Sequence, residues 1–394
     1  MTVKEIAELA GVSIGTVDRV LHGRGRVNAD TKKRIQAIVE RSGFTPNPVA
    51  RRLKRTREYR FMVLIPNAAE DSGYWGQASA GIAGAADEIA SFGVRTIVHE
   101  FDRYDPASFR AAADAALAGE PDAVLLAPIM PEEARKFVAR LDDAVPYAFF
   151  DADLPGTRPL CAIGQDSFRG GYLAGRLATL FAAGAAGAAG AAGSAVSAGA
   201  TGGSDSAGSG GGKTGPFAVL AAHAEDFHIA TRRDGFLAYA ASAGFPAVLK
   251  ESVDLEHEAA ASRTLADLLR ETPDLAGVFV TSASSHRIAE AARGLRERRR
   301  FVVIGYDLVP DNERLLREGA IDAIISQRPE TQGRRGLLDL YRSIVVGIPV
   351  DTRVDVPIDL YIKENLPAPN ARNAATDADA DPDFNPKDQG PKGA

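Results

Sequence analysis

The chain has 394 residues, 45% of them hydrophobic and 25% charged, which is room for a small head and one large or two medium cores. Its single cysteine, Cys161, excludes an internal disulfide and any cysteine-based metal cluster. Charge is unevenly spread: Met1–Arg57 carries 13 Lys and Arg against five Asp and Glu, a net of +8, so with −6 overall the remainder carries −14. A basic end on an acidic chain is the footprint of a polyanion-binding head. No window approaches 18 uninterrupted apolar residues and the first residues form no apolar leader, so a soluble, cytoplasmic protein without a membrane partner is expected.

Thr2-Val3-Lys4-Glu5 has the T-x-x-E form in which Thr2 caps a helix and Glu5 reaches back to the cap amide. Val3, Ile6, Ala7 and Ala10 continue at helical spacing, which predicts a first helix ending near Ala10. Gly11 permits a tight turn, and Ser13 can cap a second helix from Ile14 to about Leu21. Two short helices joined in this way form a helix-turn-helix. Asn28 caps a third helix whose apolar face is Ile35, Ile38 and Val39, with Gly43 as its stop. Beyond it, Pro46-Asn47-Pro48 opens a short basic helix at about 47–55, Asn47 as cap and Pro48 at the first position. Such a helix is too short to stand alone and is expected to order against DNA or a second copy. Taken alone, its run of Arg51, Arg52, Lys54 and Arg55 reads equally as a solvated charged face.

The order of these parts, Val3 to Val20 and then Phe44 to Lys54, resembles the DNA-binding head and hinge of the lac repressor family. The resemblance implies that Ile14–Leu21 enters the major groove and that paired hinge helices wedge Leu53 into the minor groove. It sets Thr2, Ser13, Ile14, Gly15, Thr16 and Arg19 of the head, and Asn47, Ala50, Leu53 and Lys54 of the hinge, against operator DNA. Arg19 is the position expected to reach a base edge. Ile14, Gly15 and Asp18 depart from the family's better-known members, so the operator does not transfer.

From Arg60 onward short apolar runs alternate with amphipathic stretches. Phe61–Ile65, Arg95–Val98, Ala123–Ala127, Tyr147–Phe150, Phe217–Ala221, Val278–Val280, Phe301–Gly305 and Ala323–Ile325 read as buried parallel strands. Helices are predicted between them, among them Ala78–Ser91, Pro106–Ala118 and Glu132–Leu141. The expected fold is therefore α/β: an all-α helix-turn-helix head (1–57) on a doubly wound body (58–366), with a tail at 367–394 too rich in Pro, Asp, Asn and Gly to fold. By resemblance the body is similar to periplasmic sugar-binding proteins, with two lobes and three crossing segments. The first lobe is expected to span Arg60–Ile163 plus a helix Pro329–Val346. The second spans Gly164–Ser326 plus one final strand near Val354–Tyr361.

Ligands of open α/β sheets sit beyond the carboxyl ends of the strands. Tyr74 and Trp75 follow the first strand, Asp102 and Arg103 the second, Asp151 and Asp153 the fourth, and Ser282 and Ser284 the strand ending at Val280. Asp166, a further candidate for the effector, opens Asp-Ser-Phe-Arg-Gly-Gly, which resembles the start of the second lobe's first helix in the family. Arg232 in Arg-Arg-Asp-Gly-Phe, Asp307 in Gly-Tyr-Asp and Gln327 at the crossover match effector-contacting positions by motif. Carboxylates with an arginine suit a polyhydroxylated ligand, a sugar or polyol. Asp and Ser at strand ends serve equally as helix caps, and Trp75 as a core aromatic.

Residues 182–215, almost wholly Ala, Gly and Ser, read as a flexible insertion. Its end imitates a phosphate loop, but Ala207 stands where the first glycine belongs. His223, Glu225 and His228 lack zinc-protease spacing, and no Ser or Cys sits in a nucleophile elbow. No cofactor, metal or catalytic group is expected. The leading expectation is a homodimeric, ligand-responsive repressor that is not an enzyme, with a sugar receptor for a transporter as the alternative.

Overall fold

The computed structural model describes residues 3–21, 27–42, 57–68, 73–193, 215–222 and 226–367. They divide between a head ending at Glu58 and a body beginning at Tyr59.

In the head, α1 (Val3–Ala10), α2 (Ile14–Leu21) and α3 (Ala29–Ser42) enclose Ile6, Ala7, Ala10, Val17, Ile35 and Ile38. The turn after α1 uses Gly11 at φ +59°, where a Cβ would be strained. Both interior caps form: the Thr16 amide donates to Ser13 Oγ at 3.3 Å, and the Asp30 amide donates to Asn28 Oδ1 at 2.9 Å. Thr2, Gly43 and the whole hinge, including Asn47, Ala50, Leu53 and Lys54, lie outside the described residues.

The body holds two six-stranded sheets. The first contains β1 (Tyr59–Pro66), β2 (Val94–Phe101), β3 (Ala123–Leu126), β4 (Tyr147–Asp151) and β5 (Cys161–Gly164), all parallel. Between them run α4 (Tyr74–Ala90), α5 (Pro106–Ala118) and α6 (Pro131–Val138). After α7 (Ser167–Gly193) the second sheet is built from β6 (Phe217–Ala221), β7 (Ala247–Glu251), β8 (Gly277–Val280), β9 (Val302–Tyr306) and β10 (Ala323–Ser326). Its helices are α8 (Phe227–Ala243), α9 (Glu258–Glu271), α10 (Ser285–Ala291), α11 (Arg293–Arg296) and α12 (Pro310–Glu318). The chain then returns to the first lobe with α13 (Pro329–Tyr341), continued by a single π-helical segment at Arg342–Val346.

The unbroken apolar runs follow from burial on both faces. On β6, Ala218 and Leu220 belong to one core with Val278, Val303 and Ile324, while Phe217 and Val219 belong to another with Phe236, Phe279 and Ile325. Side chains alternate between the faces, so both parities of the strand must be apolar.

The structure corrects three expectations. Arg95–Val98 is not a buried strand: it lies in β2 at the edge of the first sheet, with Arg95 and Val98 exposed. Val354–Tyr361 is not one strand of the second lobe. It is two, β11 (Arg353–Asp355) parallel to β5 in the first sheet and β12 (Asp359–Tyr361) antiparallel to β10 in the second. Pro357, which has no amide to offer a ladder, lies between them, and the chain uses the break to cross between lobes. The supposed insertion is also not loop from residue 182: α7 runs to Gly193 through Ala-rich sequence, because alanine is the strongest helix former. Residues 194–214 lie outside the described residues, as do those of the tail beyond residue 367.

Candidate functional site

Three segments link the lobes, between β5 and α7, between β10 and α13, and between β11 and β12, and Gln165 joins all three. Its Nε2 donates to Ser326 O at 2.9 Å and to Pro357 O at 3.2 Å, while its Oε1 accepts from Tyr306 Oη at 2.6 Å. The Tyr306 ring carries the Arg232 guanidinium, 3.7 Å from the ring centroid. Arg232 is 1% exposed and donates from Nη1 to Thr281 O at 2.9 Å.

A hydrogen-bonded chain then runs from lobe to lobe. Asp307 accepts from the Gln327 amide and from Gln327 Nε2, at 3.3 and 3.1 Å. Gln332 Nε2 donates to Gln327 O at 2.7 Å, and Gln332 Oε1 accepts the Asp151 amide at 2.9 Å. Tyr74 Oη closes the chain by donating to Asp151 Oδ1. Asp151 and Asp307 both take left-handed backbone, φ +70° and +60°, a strained conformation at the strand ends just where the cleft begins. Across the cleft mouth Arg103 pairs with Asp226 at 3.1 Å, and Gln77 Nε2 donates to Leu308 O at 3.0 Å.

Burial dominates the electrostatics. It pushes the Asp307 carboxyl up to about 6, opposed by the Arg232 charge. It raises the Tyr74 hydroxyl well above its usual range, helped by Asp151 and Asp307. It lowers His228, whose Nδ1 lies 3.8 Å from Asp151 Oδ2. Asp151 Oδ2, Arg232 Nε and Nη2, Gln327 Oε1 and Ser282 Oγ are buried without a hydrogen-bond partner among the described residues. Each such group costs about 1–3 kcal/mol while it stays unpaired, so these donors and acceptors are available to a polar partner.

Of the residues expected in the cleft, Tyr74, Trp75, Arg103, Arg232, Ser282, Ser284, Asp307 and Gln327 line one cavity, with Asp151 bonded to Tyr74 at its edge. Trp75, 1% exposed, sets its ring edge-on to Tyr74 and Phe150 and so packs as much as it lines. Three carboxylates instead serve local backbone. Asp102 accepts the Tyr104 amide at 2.7 Å, Asp153 the Leu154 amide at 2.7 Å, and Asp166 caps α7 through the Arg169 amide at 2.9 Å. His228, Glu256 and Gln332 join the cleft unforeseen. His228, Ile229 and Arg232 share one face of α8, a spacing that carried the signal for His228; nothing local marked Glu256.

On the head, Ser13, Ile14, Gly15 and Arg19 are exposed and Thr16 half-buried, while Val17 points inward. Arg19 Nε donates to Gly15 O at 3.1 Å. The side chain of Asp18, with His223, Glu225 and the phosphate-loop imitation, lies outside the described residues. Among the described residues no group of His, Cys, Asp and Glu is placed to hold a metal, and no helix is long and apolar enough to cross a membrane.

Two family models match: the periplasmic binding protein domain over residues 62–344, and bacterial regulatory proteins of the lacI family over residues 2–47. The HTH-type transcriptional regulator RegA of Clostridium saccharobutylicum is 44% identical over 66 residues, 17% of this chain and 20% of that protein. The regulator AglR of Rhizobium meliloti is 28% identical over 180 residues, 45% of this chain and 49% of AglR, so the chain spans about half of that relative's length at most. Among solved structures, a Bacteroides fragilis protein described as a LacI transcriptional regulator superposes with TM-score 0.64 at 26% identity, covering 78% of this chain and 98% of its own. A carbohydrate transporter solute-binding protein of Agrobacterium radiobacter, in complex with D-arabinose, gives TM-score 0.63 at 20% identity over 82% and 99%, a likeness of fold. The chain thus carries a helix-turn-helix head of the lacI family of bacterial regulatory proteins on a two-lobed body that belongs to the family of periplasmic binding protein domains.

Proposed function

We propose that the protein is a sequence-specific transcription regulator, a repressor, whose operator affinity is set by a sugar or polyol held between the lobes. The observation that carries this reading is the convergence of Arg232, Asp307, Gln327 and Tyr74 on one cavity between the lobes, with Asp151 bonded to Tyr74 at its edge. A ligand that supplies partners for the unpaired atoms of Arg232, Asp151 and Gln327 changes what holds the crossings, and with them the angle between the lobes. In a homodimer, lobe movement alters the spacing of two hinge segments and so the grip on DNA. A ligand favouring one state by about 100-fold supplies coupling of roughly 2.7 kcal/mol, enough to change operator occupancy.

The exposed face of α2, with Arg19 as its polar reader, is the surface assigned to the major groove, and Leu53 and Lys54 are assigned to the hinge contact on sequence grounds. The role is binding, in the cytoplasm, without catalysis or cofactor. A transporter's sugar receptor shares the cleft but has no use for a basic helix-turn-helix, and that head decides between the two. Footprinting of the purified protein over its own promoter region, with and without ligands from a thermal-shift screen of sugars and polyols, tests the reading. Protection that one ligand abolishes or strengthens is expected; absence of any operator-sized footprint at moderate salt overturns it.

A further inference from the structure

We propose that the effector site continues past Asp151 and His228 into a chamber beside the crossing segments of the two lobes, and that the effector carries a second ring seated there, as in a neutral disaccharide or glycoside. The inference rests on the effector reading above and adds the ligand's size and charge.

The chamber is about 280 Å³, against about 40 Å³ for the central cavity, so the larger share of room lies outside the site already described. His228 lines both spaces, and Asp151, bonded to Tyr74 of the central cavity, lines the chamber. At that boundary Asp151 Oδ2 is a buried acceptor with no hydrogen-bond partner, 3.8 Å from the imidazole. A hydroxyl bridging the two spaces would find an acceptor and, on the burial-neutralised imidazole, either a donor or an acceptor.

The chamber's outer wall carries Phe168 and Phe227, 42% and 53% exposed. Large exposed apolar rings beside a polar cavity mark a binding surface, and an aromatic face is suited to the apolar side of a pyranose. Neither ring hangs free of structure: Phe168 stacks on Tyr172 at 6.4 Å between centroids, and Phe227 opens α8, where Thr231 Oγ1 donates to its carbonyl at 2.6 Å. Asp151 apart, the chamber's ionised groups are already matched, Arg353 with Asp153 at 3.6 Å and with Asp355 at 2.8 Å, and Asp166 with Arg169 at 3.3 Å. With Arg353 taken up and the charged form of His228 disfavoured by burial, the wall offers no cation to neutralise a phosphate or carboxylate on the ligand, which rules out an anionic second ring. The groove of about 570 Å³ at the opposite mouth also meets the central cavity, at Glu256, and carries the exposed ring of Tyr104, but its carboxylates Asp102 and Asp254 bind loop amides and, among the described residues, no buried unpaired polar atom lines it.

Calorimetry on the full chain, with glucose and galactose against maltose, cellobiose, melibiose and lactose, tests the proposal. At least one disaccharide should bind about tenfold or more tighter than its constituent monosaccharides. Phe227→Ala or Phe168→Ala should remove most of that advantage while leaving monosaccharide affinity unchanged. A monosaccharide binding as tightly as its disaccharides overturns the second ring alone, as does a disaccharide advantage that survives both substitutions. If none of the six sugars binds, the effector reading falls with it.

Discussion

The side-chain amide of Gln165 donates to the carbonyl of Ser326 at 2.9 Å, so one crossing segment holds another, and the same nitrogen reaches Pro357 O on the third. Gln165 is thus the fastener of the crossing segments and, through Tyr306, the footing of the Arg232 platform. Gln165→Ala strands two carbonyls and a tyrosine hydroxyl in a buried site and should cost about 2–3 kcal/mol. Gln165→Glu should cost more, since it keeps an acceptor for Tyr306 but sets a carboxylate oxygen against two carbonyls. Urea unfolding of the body checks the order; a milder Glu variant refutes the donor assignment.

The approach of α7 to α8 is made by glycines. A Cβ on Gly171 would stand 1.8 Å from Arg232 O, and one on Gly235 2.1 Å from Phe168 O, both against backbone that cannot swing aside. Gly171→Ala should therefore destabilise by about 3 kcal/mol or more and displace Arg232 from Tyr306. Sugar binding should fall in whatever fraction still folds, measured by calorimetry beside the urea midpoint.

What the sequence made legible divides along physical lines. Strands buried on both faces, such as Phe217–Ala221 and Ala123–Leu126, declare themselves as unbroken apolar runs. The edge strand Ala247–Glu251 mixes polar residues and went unread, because one of its sides faces water. The last strand was misjudged because alternation of apolar residues does not say which sheet receives them; only Pro357 hinted at the break. In the site, Arg232 and Asp307 were readable from their neighbours in the chain. Gln165 and Gln332 work through contacts 161 and 181 residues away, and no local pattern encodes such distances.

Asp307 gives the body a pH signature. Its folded pKa of about 6 stands above the value of about 3.9 expected in the unfolded chain, so between these values the folded state holds more proton. Stability should then fall as pH rises from about 4 to about 6, Asp307's share being roughly 2–3 kcal/mol. Asp307→Asn, which tolerates the φ +60° backbone, removes this share. The variant should gain on the parent by that amount between pH 4 and pH 7, read from urea midpoints at both; a constant difference refutes the raised pKa.

Arg19 and Ser13 separate reading from folding in the head. Ser13 Oγ accepts the Thr16 amide, so Ser13→Ala should cost the head about 1 kcal/mol of stability, as loss of a helix cap does. Arg19 is exposed and bonds only the carbonyl of Gly15 one turn back, so Arg19→Ala should leave thermal stability unchanged. Operator affinity should fall by about 1–3 kcal/mol if Arg19 reads a base edge, with binding to unrelated DNA little affected. Gel shifts across a salt series distinguish this from a phosphate contact, which would weaken all sequences alike and reduce the salt slope by about one. A uniform loss with a changed slope would move Arg19 from reader to anchor and leave the exposed Ile14 and the half-buried Thr16 as the groove-facing side chains that carry specificity.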